Sequence, residues 1–140
     1  MLDRTADTGF SRAMSNPHSV SWFEIPVNDL ARATAFYSKV LDLEMSGVDF
    51  GPNKMSLFPV AGTHDFPVVH GALVAGEGYE PGPNGPLLYL NGGSDLAVPL
   101  ARVADAGGKV VLDKVAIGDH GFMAIFLDTE GNRMALHSDG

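Results

Sequence analysis

The stretch VSWFEIPVNDLARATAFYSKVL, residues 20–41, decides the fold of this chain, because it reads as a strand followed directly by a helix. Residues 20–27 are rich in β-branched and aromatic side chains, as strands are. Asn28 and Asp29 supply side-chain oxygens that can cap a helix. The pattern predicts an amphipathic helix that packs one face on a sheet. Its apolar residues recur at intervals of three and four, at Leu30, Ala33, Phe36, Tyr37, Val40 and Leu41.

The strand and helix of this stretch begin a series of elements that occurs twice along the chain. Three short β-like runs follow the helix, at residues 43–50, 54–60 and 67–75. Residues 77–86, EGYEPGPNGP, form a connector, since no regular element survives that content of Gly and Pro. The second half predicts a strand, a helix and three strands again, at residues 87–91, 95–106, 109–112, 122–127 and 133–137.

A shift of 66 positions aligns the two predicted helix starts. It matches four residues, Asp29, Leu30, Ala31 and Ala35, with Asp95, Leu96, Ala97 and Ala101. Both stretches follow a strand and precede a set of strands, which indicates a duplicated unit. We therefore predict an α+β fold made of two βαβββ units, residues 20–76 and 86–138, in one domain 20–138.

Two local features modify this prediction. Pro99 lies in the first turns of the second helix, where its missing N–H predicts irregular geometry. Residues 1–19 carry few large apolar groups, so we expect a poorly ordered tail.

The composition narrows the classes of function. The 140 residues include 9 Lys and Arg, 17 Asp and Glu and no Cys, which gives a formal net charge of -8. Thiol nucleophiles and thiolate metal sites are excluded, and the acidic charge argues against nucleic acid and anionic membrane surfaces as partners. The longest apolar run, Phe122–Leu127, is far shorter than the roughly 20 residues that span a bilayer. The polar N-terminal stretch does not resemble a secretion signal, so the expected location is cytoplasmic.

Three stretches carry a family resemblance: residues 23–44, 87–111 and 126–138, the last reading FLDTEGNRMALHS. They closely resemble the glyoxalase/bleomycin-resistance/extradiol-dioxygenase proteins, the vicinal oxygen chelate superfamily, and among them single-domain bacterial members related to lactoylglutathione lyase. The resemblance implies that each βαβββ unit curves its sheet into half a barrel. It also implies that paired units surround a ligand in a cup, and that the chain forms a homodimer.

The resemblance further implies one divalent metal ion, held by side chains on the first and last strand of each unit. In this sequence the ligand positions fall on Trp22, on Leu87 or Leu88, near Ala72 and on Ala135. Indole, isobutyl and methyl groups do not coordinate a cation. We therefore predict no metal and no other cofactor.

The strand bearing Trp22 supplies two candidate ligand-binding residues. Trp22 offers a flat apolar wall with one N–H donor, although it can equally be a core residue. Glu24 shares the face of Trp22 because side chains alternate along a strand. Its carboxylate can act as an acid or base or bind a cationic ligand; the alternative is an ion pair with Arg133 or another strand neighbour.

The second unit supplies Tyr89, Ala135 and His137, of which Ala135 and His137 share a face by the same alternation. With Trp22 and Glu24 they form the predicted ligand-binding set. Glu24 and His137 are the candidate catalytic residues, since His can transfer protons near neutral pH. The alternative for His137 is a histidine hydrogen-bonded within the structure.

A separate metal site is conceivable only through tertiary folding. Its candidate ligands are His64, His70, Asp119 and His120, whose spacing gives it no support.

Two functions therefore remain open, together with a third, less specific one. The first is a glyoxalase-like protein that binds or converts a small organic molecule without a metal. The second is a protein that sequesters a drug or toxin, and the third is a subunit whose own side chains fill the cup. The sequence names no substrate.

Overall fold

The computed structural model describes residues 18–62 and 68–140, which form two four-stranded mixed sheets. Sheet 1 has the spatial order β1-β4-β3-β2 and sheet 2 the order β5-β8-β7-β6. The strands of sheet 1 are β1 Trp22–Pro26, β2 Ser46–Phe50, β3 Asn53–Leu57 and β4 His70–Ala75. Those of sheet 2 are β5 Tyr89–Asn91, β6 Lys109–Ala116, β7 Phe122–Leu127 and β8 Arg133–Ser138.

Both sheets have the same topology. In each, the first strand pairs in parallel with the last, and the other pairs are antiparallel. Glu24 lies opposite Ala72 in sheet 1, and Tyr89 lies opposite Ala135 in sheet 2. The predicted α+β fold with repeated βαβββ order is confirmed, and neither sheet closes into a barrel. The predicted tail at residues 1–19 falls almost entirely outside the described residues.

The first helix, α1 Leu30–Leu41, matches the prediction closely. The Asp29 side chain caps it by accepting from the Arg32 N–H at 3.0 Å. Asp42 ends it in the left-handed conformation, φ 53°, with its N–H donating to Ser38 O. The buried face comprises Ala33, Phe36, Tyr37 and Val40, while Leu30 and Leu41 are half-buried.

The second helix is much shorter than predicted. Only α2, Ala97–Leu100, is α-helical, and turns continue to Gly107. The predicted helix at 95–106 is therefore wrong in extent. Ala101 N donates to Ala97 O, four residues earlier, as in an α-helix. The next hydrogen bond, from Arg102 N to Pro99 O, spans only three residues, as in a 3₁₀ turn. Pro99 accounts for part of this irregularity because it has no N–H to donate.

Several strand bounds also differ from the predicted ones. Strand β6 continues to Ala116 instead of ending at residue 112, with register shifts between Val110 and Val115. Such bulges let an edge strand bend while keeping its pairing with β7. Strands β2, β3 and β4 are shorter than the runs 43–50, 54–60 and 67–75.

Helix α1 lies between the two sheets. It packs on β3 and β4 of sheet 1, and its Phe36 ring lies 5.9 Å from the Phe126 ring of sheet 2. One apolar core accordingly includes α1 and residues of both sheets, among them Ile25, Leu73 and Leu136. We call the sheet faces that line this core the inner faces and the opposite ones the outer faces. In the part of the chain that the structure describes, no helix is long and apolar enough to cross a membrane.

The turn between β7 and β8 fastens sheet 2 to the start of α1. Gly131 has φ +87°, as a tight turn requires. The Glu130 side chain is fully buried and accepts from Arg32 Nε at 2.8 Å and from the N–H groups of Asn28 and Asp29 at 2.9 and 3.0 Å. We call this arrangement the Glu130 clamp.

The Glu130 clamp keeps its carboxylate ionised. Burial alone would raise the pKa of Glu130. Hydrogen bonds from Arg32, from two backbone N–H groups and from Thr129 outweigh burial and lower the pKa from 4.5 to about 2. Since one pKa unit corresponds to about 1.4 kcal/mol, this lowering stabilises the fold by about 3 kcal/mol above pH 4.5.

We expect Glu130→Gln to lower the free energy of unfolding at pH 7 by about 3 kcal/mol. The wild-type contribution is complete above the unfolded pKa and is lost as the pH falls from 4.5 towards 2. The variant therefore loses less stability over that range. Urea unfolding at pH 7, 5, 4 and 3 measures both effects, with the exposed Glu44→Gln as the control. Equal pH dependence of Glu130→Gln and wild type would contradict the clamp.

The contact between α1 and sheet 2 leaves no room for a side chain at Gly108. A Cβ there would lie 2.6 Å from Leu127 O and 2.7 Å from the Phe36 ring, whereas one at Gly47 has nothing within 4 Å. We expect Gly108→Ala to lower the melting temperature, corresponding to a loss of about 1–3 kcal/mol. Gly47→Ala should leave stability unchanged or slightly raised. Equal melting temperatures for the two variants would be inconsistent with this packing.

Candidate ligand-binding site

The outer face of sheet 1 carries a hydrogen-bonded group of two aromatic rings and a carboxylate. Trp22 Nε1 donates to Glu24 Oε2 at 3.1 Å, and the Tyr79 hydroxyl donates to Glu24 Oε1 at 2.9 Å. We call Trp22, Glu24 and Tyr79 the aromatic–carboxylate cluster. The Trp22 side chain remains 43% exposed, so its ring is both held at one edge and accessible.

An apolar floor lies beside this cluster. Met55, Ala72 and Val74 are buried on the outer face, and Leu57 and Tyr79 pack against them. Glu24 lies directly opposite Ala72 in the paired strands β1 and β4. Because Ala72 and Val74 are fully buried and Met55 is only 8% exposed, this floor supports the cluster from below and leaves the Trp22 ring as the accessible surface.

Sequence reasoning missed Tyr79. It lies in the Gly/Pro-rich connector, where no strand or helix periodicity assigns a side chain to a face. A turn formed by the Tyr79 N–H bond to Gly76 O, with Gly78 at φ +89°, directs it onto sheet 1. The signal present in the sequence was an aromatic residue within a segment otherwise made of Gly, Pro and polar residues.

Tyr79 acts as a hydrogen-bond donor to the Glu24 side chain. The pKa of the Tyr79 hydroxyl is raised, first by its hydrogen bond to Glu24 and then by desolvation and the Glu24 charge. A phenol with a raised pKa keeps its proton over the physiological range. The hydrogen bond is consequently a lasting feature of the cluster.

The outer face of sheet 2 carries the remaining predicted residues. Tyr89 is 47% exposed, and Ala135 is fully buried in an apolar group with Met123, Ile125 and Leu87. His137 is half-buried, with its Nε2 2.6 Å from His120 O. Because a carbonyl oxygen only accepts, Nε2 is the donor in this contact. His137 is thus hydrogen-bonded within the structure, as its alternative interpretation expects.

One chain does not bring the five predicted ligand-binding residues into one site. Trp22 and Glu24 lie on the outer face of sheet 1, and Tyr89, Ala135 and His137 on the outer face of sheet 2. Helix α1 and the shared core separate these faces. The alternative ion pair between Glu24 and Arg133 is not formed among the described residues.

The hydrogen-bonding register identifies the metal-ligand positions implied by the resemblance. Val27 N donates to Val74 O, and the equivalent bond in sheet 2 runs from Gly92 N to His137 O. Counting back five residues from each donor makes Leu87, not Leu88, the counterpart of Trp22. Leu88 packs against the inner core instead.

The side chains at these positions do not fit a divalent metal ion. Trp22, Leu87, Ala72 and Ala135 have no oxygen, sulfur or imidazole nitrogen to coordinate one. Within residues 18–62 and 68–140, no three His, Asp or Glu side chains converge to hold a metal. The separate metal site considered from the sequence included His64, which lies outside the described residues. Its other three members, His70, Asp119 and His120, do not come together to form a metal-binding group.

Two clefts follow the seam between strands β1 and β5, and both include Phe23 and Leu88. The larger, about 800 Å³, lies between the sheets near the end of α1. The smaller, about 600 Å³, is bordered by Glu24, Glu80 and Arg133. Both volumes are in the range of small-molecule pockets, and the smaller cleft adjoins the aromatic–carboxylate cluster.

Comparison with known proteins agrees with the topology. Residues 19–136 match the family described as the Glyoxalase/Bleomycin resistance protein/Dioxygenase superfamily. The chain belongs to this superfamily. No curated protein is similar enough in sequence to count as a match.

Several solved structures share the fold. An antibiotic binding protein, TnmS3 from Streptomyces sp. CB03234, is 24% identical with TM-score 0.61, covering 88% of this chain and 97% of its own. The fosfomycin resistance protein FosX from Listeria monocytogenes is 17% identical with TM-score 0.59, covering 86% and 90%. A glyoxalase I mutant from Zea mays is 18% identical with TM-score 0.64, covering 85% and 45%. At these identities the likeness concerns the fold.

Proposed function

We propose that this superfamily member binds a small planar organic molecule against the aromatic–carboxylate cluster, without a divalent metal, as a sequestering protein. One observation carries the proposal. An accessible indole ring, Trp22, lies beside an apolar floor at a position where the family resemblance implies a metal ligand.

The chemistry of the cluster suits a planar ligand. The exposed Trp22 ring can stack on a flat ring system, and its bond to Glu24 restrains its orientation before the ligand arrives. A restrained side chain loses little conformational entropy on binding, which favours affinity. The buried apolar floor of Met55, Ala72 and Val74 supports the cluster from below, so the exposed Trp22 ring is the surface offered to the ligand.

Sequestration has more support than catalysis. Both Glu24 oxygens accept hydrogen bonds, and His137 donates to a backbone carbonyl. Within a chain these candidate acid and base groups lie on opposite sides of the shared core. The fold shared with an antibiotic binding protein and a fosfomycin resistance protein agrees with a role in binding small toxic compounds.

We also propose that the binding cup is completed by a second copy of the chain. Each outer face offers one wall, with Trp22 on sheet 1 and Tyr89 on sheet 2. Strands β1 and β5 lie at the ends of their sheets beside these walls, where sheets of two chains can be brought together. A homodimer that joins sheet 1 of one protomer to sheet 2 of its partner would enclose the ligand between the walls. The cytoplasmic location remains a prediction.

We expect planar aromatic compounds such as quinolones and acridones to change the emission of Trp22, the single tryptophan. Calorimetry should show that Trp22→Leu weakens their binding about tenfold and Trp22→Phe by less, since Phe keeps a ring. Val111→Ala, an exposed change on strand β6, is the control and should leave affinity unchanged. Wild-type affinity in Trp22→Leu would overturn the proposed site.

Incubation with EDTA followed by dialysis tests independence of metal. The affinity for the same quinolones should stay within twofold of the untreated protein. A stoichiometric metal ion whose removal abolishes binding would contradict the proposal.

Light scattering at the concentrations used for calorimetry should give about twice the chain mass of 14.8 kDa. Trp22 emission should shift when the protein is diluted below the dimer dissociation constant. On dissociation the outer face of the partner's sheet 2 no longer covers the Trp22 ring, which then becomes more exposed to water. A single-chain mass together with full ligand affinity would exclude the two-chain cup while leaving the Trp22 site in place.

A further inference from the structure

We infer that the aromatic–carboxylate cluster selects planar organic cations over neutral molecules of the same shape, with Glu24 as the residue that sets the charge preference. This inference rests on the proposed function, because it assigns the ligand class of the same site.

The negative charge of Glu24 is not neutralised by any described side chain. Its two hydrogen-bond partners, the Trp22 indole N–H and the Tyr79 hydroxyl, are neutral donors. The ion pairs among the described residues join Arg32 to Glu130 and Lys114 to Asp95. Arg133 borders the cleft next to Glu24 but does not pair with it. A full negative charge therefore lies between two aromatic rings.

The carboxylate can still accept from a ligand. Each carboxylate oxygen has about two lone-pair positions, and the cluster uses one on each oxygen. The two bonds hold the carboxylate in place, so a bound cation need not order it. Glu24 is thus both anchored and available.

The neighbouring rings favour a cation further. Aromatic faces attract organic cations through their quadrupole, most strongly for Trp, and the Trp22 ring is accessible. A flat cation can stack on this ring and place its charge near Glu24. A neutral analogue gains the stacking alone.

Among the residues that the structure describes, the cleft beside Glu24 is bordered by one further carboxylate, Glu80, and one cation, Arg133. The whole chain carries a formal charge of -8. His70, opposite Trp22 on β4, is exposed and is the titratable neighbour on the same face. We therefore compare both ligands at one fixed pH, so that this neighbour carries the same charge in each measurement.

Two probes of matched shape separate charge from stacking: the cation N-methylquinolinium and the neutral 1-methyl-2-quinolone. We expect calorimetry to show about five- to tenfold tighter binding of the cation. Glu24→Gln should remove most of this preference, because it weakens binding of the cation far more than binding of the quinolone. Glu44→Gln, which removes an equal charge from an exposed position outside the cluster, should preserve it. Added salt at 0.5 M should weaken binding of the cation more than binding of the quinolone.

The outcomes distinguish this inference from the proposed function. Equal affinities for the two probes in wild type, with both lost in Trp22→Leu, would overturn the charge preference and support the planar-ligand site. No binding of either probe would overturn both. An equal loss of cation preference in Glu24→Gln and Glu44→Gln would assign the preference to the net charge of the chain and overturn the role of Glu24. Retention of the folded circular dichroism spectrum by Glu24→Gln excludes misfolding as the cause.

Discussion

The buried carboxylate of Glu130 is the interaction on which the arrangement of this chain depends. It lies at the amino terminus of α1, where free N–H groups and the helix dipole favour a negative charge. Arg32, on the first turn of the same helix, completes the pairing. A turn of sheet 2 is thereby held at the start of a helix that belongs to the first unit, and burial makes the loss of either partner costly.

Helix α1 consequently packs on β3 and β4 of sheet 1 and reaches sheet 2 through the contact of Phe36 with Phe126. The Tyr37 hydroxyl donates to Asp128 at 2.5 Å, and Asn132 donates to Pro26 O at 2.8 Å. These bonds extend the Glu130 clamp along the turn. The shared core lies on the inner faces of both sheets. The exposed polar and aromatic side chains of the predicted site therefore lie on the outer faces.

The binding chemistry follows from this division. Sheet 1 presents the aromatic–carboxylate cluster, whose charge is surrounded by neutral donors, and sheet 2 presents Tyr89 above an apolar group that includes Ala135. The positions where the family resemblance implies metal ligands are occupied by Trp22, Leu87, Ala72 and Ala135, which suit stacking and apolar contact. Because one fold hosts several chemistries, these side chains decide which chemistry the outer faces can support.

The sequence by itself determined the order of the elements, their duplication, the Asp29 cap and the buried face of α1, because each depends on residues within a few positions of one another. It also determined which side-chain types occupy the positions equivalent to metal ligands. Only the tertiary structure decided that α2 is a single turn, that His137 binds the His120 carbonyl, and that Tyr79 reaches Glu24. Glu130 and Asn28 meet across 102 positions, and Tyr79 and Glu24 across 55. Contacts of such range are set by how the sheets and connector pack in three dimensions, which no local period of two or 3.6 residues encodes.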